Sequence, residues 1–183
     1  MEDEPTLIVE RAAGELDRFP RQAVAEFRPA FEALSAVLDD GQLDQWAQTG
    51  VAIAGQSVRS WEAVVQYFVA SPKVARLMPF SYMVKWSECG ASLCQESSAL
   101  AQSYFQASPA AMARLRSRHI ETWADLGLGL YRGTWKSSTL ASRFFAASPA
   151  LLSSLTLPEL KQFVAFLGAV SHRSYDLAAE CLA

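Results

Sequence analysis

Apolar side chains recur at spacings of three and four residues along almost the whole chain, with polar or small residues between them. Such a spacing places the apolar residues of a segment on one face of an α-helix. Ala, Leu, Gln, Glu, Arg and Met fill the segments, and all of these residue types favour helices. The alternating apolar positions, Gly-rich turns and β-branched residues typical of strands are missing from the sequence. The pattern predicts an all-α protein.

One block of this pattern occurs three times. It begins with an apolar residue, which is followed by Trp after three positions and by Gly after four more, and it continues to an aromatic pair and x-Ala-Ser-Pro. The copies comprise Leu43, Trp46, Gly50 and Tyr67 to Pro72; Met83, Trp86, Gly90 and Tyr104 to Pro109; and Ile120, Trp123, Gly127 and Phe144 to Pro149. The tryptophans lie 40 and 37 residues apart, and the Ser-Pro pairs 37 and 40. A repeat near 40 residues is typical of helical arrays.

Each motif position has a physical role. The apolar residue, Trp and Gly share one helix face. Gly costs a helix about 1 kcal/mol relative to Ala, so we expect the backbone of a neighbouring helix to approach closely, with one ring fitting over the missing side chain. The residue before proline is disfavoured in helices, whereas Ser and Pro favour a helix start. We therefore predict that one helix ends at Ser71, Ser108 and Ser148, and that a short third helix follows in each repeat.

These features predict a right-handed helical repeat array, an α-solenoid of the HEAT or armadillo type, with three to three and a half copies of a 37–40-residue repeat. An N-terminal helical cap is expected at residues 1–41. Repeats are expected at 42–79, 80–117 and 118–157, and a partial fourth repeat at 158–183. All of them belong to one continuous domain.

Both ends of the array depart from the motif. The cap is predicted to contain two amphipathic helices, the second closed by Asp39-Asp40-Gly41 with Gly41 as a left-handed C-cap. At the other end, Gly168 is the candidate for the motif glycine, although Phe163 then precedes it by five positions instead of four. The last segment is still amphipathic and apolar, so this copy is either a half-repeat cap or part of a longer array.

Composition indicates a folded protein without a membrane span. The chain is 51% hydrophobic and 19% charged, which supplies ample apolar material for a core. No run approaches the roughly 18 to 20 apolar residues that cross a bilayer, and the acidic start differs from a signal peptide. Cys89, Cys94 and Cys181 match no disulfide framework or zinc spacing, so we expect reduced, packed thiols. The expected location is cytoplasmic.

The net charge of −3 hides an asymmetry. Residues 1–44 hold eleven carboxylates against four arginines, whereas residues 45–183 hold twelve Lys and Arg against eight carboxylates. Either both regions are ordinary solvated faces, or the acidic N-terminal segment lies beside, or competes for, a mildly basic array. A sequence pI of about 5.4 argues against nucleic acid as a partner.

Sequence motifs of catalysis and cofactor binding are missing: there is no HExxH, CxxC, GxSxG or phosphate-binding loop. We therefore expect no enzymatic activity, no metal and no cofactor. One basic cluster stands out, formed by Arg114, Arg116, Arg118 and His119. Its cations either offset the negative C-terminal end of the preceding helix or bind an anion or acidic partner. In the second case, repeats stacked in phase would add Arg76, Lys85 and Lys73.

The pattern L-x-x-W-x-x-x-G followed by YF-x-A-S-P-x-x-L resembles helical repeats that precede the von Willebrand factor A domain in bacterial adaptors. These adaptors are the nitric-oxide-reductase-activation and Rubisco-activation type proteins that work with MoxR-class AAA+ ATPases. The likeness covers about Leu43 to the end of the chain. The sequence departs from the full-length family because it has no Asp-x-Ser-x-Ser motif and no α/β domain. The resemblance implies a helical module that contacts an ATPase or its client complex.

Two hypotheses for the function follow. In the first, the chain is a non-catalytic scaffold or adaptor whose helical surface binds another protein. In the second, a groove between repeats binds a small molecule or anion, or carries out catalysis, near Trp61, Trp135 and the cluster of Arg114 to His119. The two tryptophans are singled out because neither occupies the recurring motif position.

Overall fold

The computed structural model describes residues 4–57, 59–134 and 138–182. In these ranges the chain forms ten α-helices and one short 3-10 helix and contains no strand, which confirms the prediction of an all-α protein. The α-helices are α1 Glu4–Leu16, α2 Arg21–Leu34, α3 Asp40–Ala54, α4 Ser60–Ala75, α5 Phe80–Glu96, α6 Ser98–Met112, α7 Ile120–Gly133, α8 Ser138–Ser154, α9 Leu157–Ser171 and α10 Tyr175–Glu180. The 3-10 helix Ser117–His119 directly precedes α7.

The helices form consecutive hairpins whose members pack in two layers. Each sequence copy is one hairpin (α3 with α4, α5 with α6, α7 with α8), in which the first helix holds Trp and Gly and the second holds the aromatic pair and Ser-Pro. The first helices α1, α3, α5, α7 and α9 contact one another in chain order, and the second helices α2, α4, α6 and α8 do the same. The motif side chains are buried between the layers.

The Ser-Pro pairs lie inside helices, so the predicted break and the predicted third helix of each repeat are wrong. Helices α4, α6 and α8 continue for three, three and five residues beyond Pro72, Pro109 and Pro149. A proline this close to the C-terminal end of a helix disturbs only its last turns. Each repeat therefore contains two helices.

The serine hydroxyl explains why no new helix starts. Ser71 Oγ donates to the carbonyl of Tyr67, one turn back, at 2.6 Å. Ser108 and Ser148 donate in the same way, each at 2.7 Å. A hydroxyl turned back along its own helix is not free to cap the N–H groups of a following helix. The serine thus belongs to the helix that the sequence pattern predicted it would end.

Asp39-Asp40-Gly41 opens α3 instead of closing α2, which ends at Leu34. The carboxylate of Asp39 accepts from the backbone N–H of Gln42 at 2.9 Å, and the Gln42 side chain accepts from the backbone N–H of Asp39 at 3.3 Å. This reciprocal capping box satisfies two donors that would otherwise be unpaired at the helix start. Gly41 therefore lies in the first turn of α3, and its predicted role as a left-handed C-cap is wrong.

Between its tryptophan and its aromatic pair, the second copy is three residues shorter than the other two, and this difference falls in the connection between its helices. Residues 55–59 join α3 to α4, whereas Ser97 alone joins α5 to α6. Helix α5, with 17 residues, is longer than α3, with 15. Ser97 has an extended backbone, and its N–H donates to the carbonyl of Leu93 at 2.9 Å. The shortening therefore produces a tight turn rather than a shorter helix.

The register of α9 differs from the predicted one. Thr156 and Glu159 form a capping box four residues before the buried Leu160, as Asp39 and Gln42 do before Leu43. Leu160 thus matches the first motif position, and Leu167, which is also buried, matches the glycine. A Cβ added to Gly168 would have no neighbour within 4 Å. The interpretation of Gly168 as the motif glycine is wrong, and a leucine fits because α10 lacks an aromatic pair.

Candidate functional site

The three motif tryptophans each donate a buried hydrogen bond to the serine of the Ser-Pro pair in the same copy. The Nε1 to Oγ distances are 2.8 Å from Trp46, 2.7 Å from Trp86 and 2.9 Å from Trp123. Each serine hydroxyl in turn donates a hydrogen bond to a backbone carbonyl of its own helix. Because buried donors are costly when unpaired, this chain of bonds explains why Trp and Ser recur together. It also joins the two helices of each hairpin.

The motif glycines make room for the second ring of the aromatic pair. A Cβ on Gly50, Gly90 or Gly127 would lie less than 3.0 Å from the ring of Phe68, Phe105 or Phe145, respectively. All three rings are fully buried, so they have no space into which to retreat. The expectation that a ring lies over the glycine is confirmed. The glycine costs intrinsic helix stability, and the close packing of the hairpin offsets that cost.

The first ring of the pair connects neighbouring copies. Tyr67 stacks on Trp86 with ring centroids 5.4 Å apart, and Tyr104 packs on Trp123 at 4.9 Å. Phe27 of α2 stacks on Trp46 at 5.5 Å in the same way, so the N-terminal hairpin continues the series despite its lack of the motif. These contacts form one aromatic row through the core.

The two tyrosines also donate hydrogen bonds to the backbone. The hydroxyls of Tyr67 and Tyr104 donate to the carbonyls of Trp46 and Trp86 at 3.1 and 3.2 Å. Burial raises the pKa of both phenols, which therefore remain neutral at physiological pH. Together with the indoles, serines and glycines, they are occupied in packing. The recurring motif thus defines the architecture, and a functional site has to be sought where the copies differ.

The basic cluster lies in the connection between α6 and α7. Arg114 follows the C-terminal end of α6, Arg116 precedes the 3-10 helix, and Arg118 and His119 lie within it. The three arginines are exposed and His119 is half-buried. Nε of Arg118 donates to Nε2 of His119 at 3.2 Å. No carboxylate in the described part of the chain forms an ion pair with the three arginines. We call these four residues the basic edge.

Helix electrostatics account for only part of the basic edge. Arg114 lies two residues beyond α6, where a cation is favourable. Arg118, in contrast, lies two residues before Ile120, the first residue of α7. The N-terminal end of a helix carries partial positive charge, which disfavours cations. The favourable interaction of a cation with the negative C-terminal end of a helix therefore explains the position of Arg114. It does not explain the positions of the other basic-edge residues.

The structure separates the lysines and arginine that could extend the basic edge. Arg76 follows the end of α4 as Arg114 follows that of α6, so the two lie at the same end of neighbouring hairpins. Lys85 is engaged elsewhere, in an ion pair with Glu121 of α7 at 3.6 Å. Lys73 lies within α4, before its end. Only Arg76 is thus placed as the extension requires.

A groove of about 570 Å³ runs between α5 and α7, and it is one of the places in the described part of the chain where a ligand could lie between repeats. Its lining includes Lys85, Glu88, Cys89, Glu121 and Asp125. Burial and then the nearby carboxylates of Glu121, Asp125 and Glu88 raise the pKa of Cys89 to about 12. The thiol is therefore protonated and weakly nucleophilic. Three carboxylates against one ammonium also make this groove unfavourable for an anion.

Another contact, which sequence reasoning missed, joins the tight turn of the second copy to α7. The hydroxyl of Tyr131 donates to the carbonyl of Glu96 at 3.1 Å, and Arg132 pairs with the Glu96 carboxylate at 2.6 Å. Arg11 of α1 pairs in a similar way with Asp44 of α3. The partners are more than 30 residues apart in sequence, and no local pattern could identify them.

Trp61 lies on α4 and is half-buried, and Trp135 lies outside the described residues. In the described ranges, no group of three or more His, Cys, Asp and Glu side chains is arranged to hold a metal ion. None of the described helices is long and apolar enough to cross a membrane.

No protein-family model, curated protein or solved structure matches this sequence.

Proposed function

We propose that this protein is a non-catalytic adaptor, built as a right-handed α-solenoid of the HEAT or armadillo type, that binds a partner protein through the basic edge. The stacking of hairpins in two layers supports the solenoid architecture. The residues shared by the copies serve packing, so recognition falls to residues that differ between copies. The basic edge is one charged difference of this kind.

One observation carries the proposal. Arg118 lies at the positive end of α7, where the field of the helix opposes its charge, and no described carboxylate pairs with it. An arrangement that disfavours folding is retained when another requirement depends on it. The helix start and the guanidinium groups together attract negative charge. The partner surface should therefore present Asp or Glu side chains.

The neighbourhood of the basic edge fits a protein partner. In the two preceding connections between hairpins, Val37 and Leu77 occupy the place of Arg114, and both are exposed. A surface that combines exposed apolar residues with arginines is typical of protein interfaces. The resemblance to the MoxR-associated adaptors adds an AAA+ ATPase or its client complex as a candidate partner. A cytoplasmic location is part of the proposal, and the free thiols Cys89, Cys94 and Cys181 agree with it.

The groove between α5 and α7 supports a second candidate function, the binding of a small molecule between repeats. Its volume is in the range of small-molecule sites. The carboxylates of Glu88, Glu121 and Asp125 would favour a cationic ligand over an anion. This candidate uses none of the arginines of the basic edge, so one set of variants separates the two functions.

Charge reversal at the basic edge is expected to abolish partner binding. In the variant Arg114→Glu/Arg116→Glu/Arg118→Glu, we expect at least about a tenfold loss of the proteins captured by the wild-type chain, because guanidinium-carboxylate contacts become repulsive. Quantitative affinity capture followed by mass spectrometry measures this loss. Capture by the wild type should also weaken as ionic strength rises.

The matched control reverses three exposed arginines at the other end of the chain, in the variant Arg18→Glu/Arg21→Glu/Arg28→Glu. It has the same change in net charge, and we expect it to retain wild-type capture. If the two triple variants lost capture equally, the loss would follow from the change in net charge alone, and the proposal would be contradicted. Unchanged capture by the basic-edge variant would contradict it as well.

A further inference from the structure

The connections between successive hairpins repeat one turn at the same edge of the array. The backbone N–H groups of Val37, Leu77 and Arg114 each donate to the carbonyl three residues earlier, at 2.9, 2.9 and 3.0 Å. The three residues therefore hold equivalent positions, just beyond the ends of α2, α4 and α6. Because these helices pack against one another in chain order, the three residues follow one another along the edge. We call them the turn row.

The side chains of the turn row are not needed to fill the core. In each turn, the residue that follows in sequence packs into the hydrophobic core: Leu38, Met78 and Leu115. In the turn row itself, Val37 is 52% exposed and Leu77 44% exposed, and Arg114 is exposed as well. Two large apolar side chains thus face water at equivalent positions of neighbouring hairpins, where a partner can cover them.

The charges beside the turn row differ between its two ends. The basic edge lies at the Arg114 end, and Arg76 of the middle connection is exposed too. Near the other end, the Asp39 carboxylate accepts from the backbone N–H of Gln42, and Asp40 lines a cavity between α1 and α3. The row therefore runs from apolar side chains to arginines that form no ion pair in the described part of the chain. Its complement is apolar at one end and carries carboxylates at the other.

The spacing of the turn row selects a helix as this complement. Packed helices lie about 8 to 10 Å apart, so equivalent residues of neighbouring hairpins are separated by about that distance. In an α-helix, residues roughly seven positions apart share one face and lie about 10 Å apart. An extended strand covers the same distance in about three residues, which turns the second side chain to the opposite face. A helix therefore contacts the whole row with one face, whereas a strand does not.

We propose that the partner segment bound at the basic edge is an amphipathic helix that lies across the ends of the hairpins. Its apolar side chains cover Val37 and Leu77, and its carboxylates pair with Arg114 and the other arginines of the basic edge. An exposed apolar face beside a charged cluster is one way in which proteins bind partner helices. This proposal rests on the proposed adaptor function and names the shape of the partner.

A synthetic helical peptide tests the spacing. The probe has two leucines roughly seven positions apart and two glutamates roughly seven positions further along, on one face of an alanine- and glutamine-based helix. It is made with the glutamates at the N-terminal end and at the C-terminal end, so that both directions along the row are tested. In the matched control, the outer leucine is exchanged with the alanine two positions away, which turns it by about 200° from the face.

Fluorescence anisotropy of the labelled peptides, titrated with the full chain, gives the affinities. In one direction, the probe is expected to bind at least about tenfold more tightly than its control, because a leucine buried by Val37 returns to water in the control. Equal affinities of probe and control, or no binding in either direction, would overturn the proposal.

Substitutions in the turn row separate this proposal from the adaptor function. Val37→Asp/Leu77→Asp is expected to lose binding of the probe and capture of the proteins that depend on the basic edge. The control Val69→Asp/Leu177→Asp places the same charges on residues that are 41% and 51% exposed elsewhere and should behave like the wild type. Circular dichroism verifies that these variants fold; if the turn-row variant does not, the comparison of probe and control on the wild type decides.

The two proposals fail in different ways. If the basic-edge variant loses capture while the turn-row variant keeps both capture and the probe, the adaptor function stands and the helical partner is contradicted. If the basic-edge variant keeps capture, the adaptor function itself is contradicted.

Discussion

Replacement of Gly127 by alanine is expected to destabilise the protein by about 2 kcal/mol. The new Cβ would lie less than 3.0 Å from the ring of Phe145, which is fully buried. Overpacking of this kind costs up to about 3 kcal/mol, and the better helix propensity of alanine returns about 1 kcal/mol. Urea denaturation, monitored by circular dichroism, gives the change in the free energy of unfolding.

Gly129 provides a control in the same helix. It is exposed, and a Cβ there would have no neighbour within 4 Å. Gly129→Ala should therefore stabilise the protein by about 0.5 to 1 kcal/mol through helix propensity alone. Substitutions two residues apart are thus expected to have opposite signs. If Gly127→Ala also stabilised the protein, the ring could not occupy the space over that glycine.

Replacement of Trp86 by alanine is expected to cost about 3 to 5 kcal/mol, the range found for large aromatic side chains in cores. Trp86 is fully buried, and its ring contacts Tyr67 of the preceding copy and Phe105 of its own copy. Its loss removes these contacts and the bond to Ser108. The free energy of unfolding, again from urea denaturation, measures the effect.

Trp61 is the comparison for Trp86, because it is a described tryptophan that lies outside the motif. It is half-buried on α4, so Trp61→Ala should cost only about 1 kcal/mol. Similar losses in the two variants would show that the motif position has no special role in packing. A cost at Trp86 that exceeds the cost at Trp61 severalfold is the expected result.

The sequence predicts the helices and the packing role of the motif, because both follow from periodicity and residue size. Trp46 and Gly50 lie on one helix face at helical spacing, and the missing side chain of Gly50 requires a close neighbour. These features are local, and they indicated a ring over the glycine without any knowledge of the fold. The N-terminal hairpin is less predictable, since Phe27 joins the aromatic row without sharing the motif.

The Ser-Pro pair shows where local reasoning fails. Ser71 and Pro72 have the residue types of a helix start, and the local pattern alone favours that reading. The deciding contact is the indole of Trp46, 25 residues earlier, which donates to Ser71 while Ser71 donates back along its own helix. Only the tertiary structure brings these groups together. A favourable local propensity is overridden here by a buried hydrogen-bond chain.

The basic edge is visible in the sequence as a cluster, but its electrostatic setting is not. Arg114, Arg116 and Arg118 are close in sequence, so their proximity in space is expected. Whether they lie at the negative end of one helix or at the positive end of the next depends on helix boundaries, which are the least predictable part of a sequence pattern. The 3-10 helix Ser117–His119 places Arg118 and His119 at the start of α7.

Hydrogen exchange of the tryptophan indole N–H groups, followed by NMR in D₂O, tests most directly that the motif is a packing device. We expect Trp46, Trp86 and Trp123 to exchange slowly and at similar rates, because each buried Nε1 donates to a buried serine. Trp61, which is half-buried, should exchange much faster. Exchange of the three motif indoles as fast as that of Trp61 would contradict the arrangement in which every copy ties its two helices together through Trp and Ser.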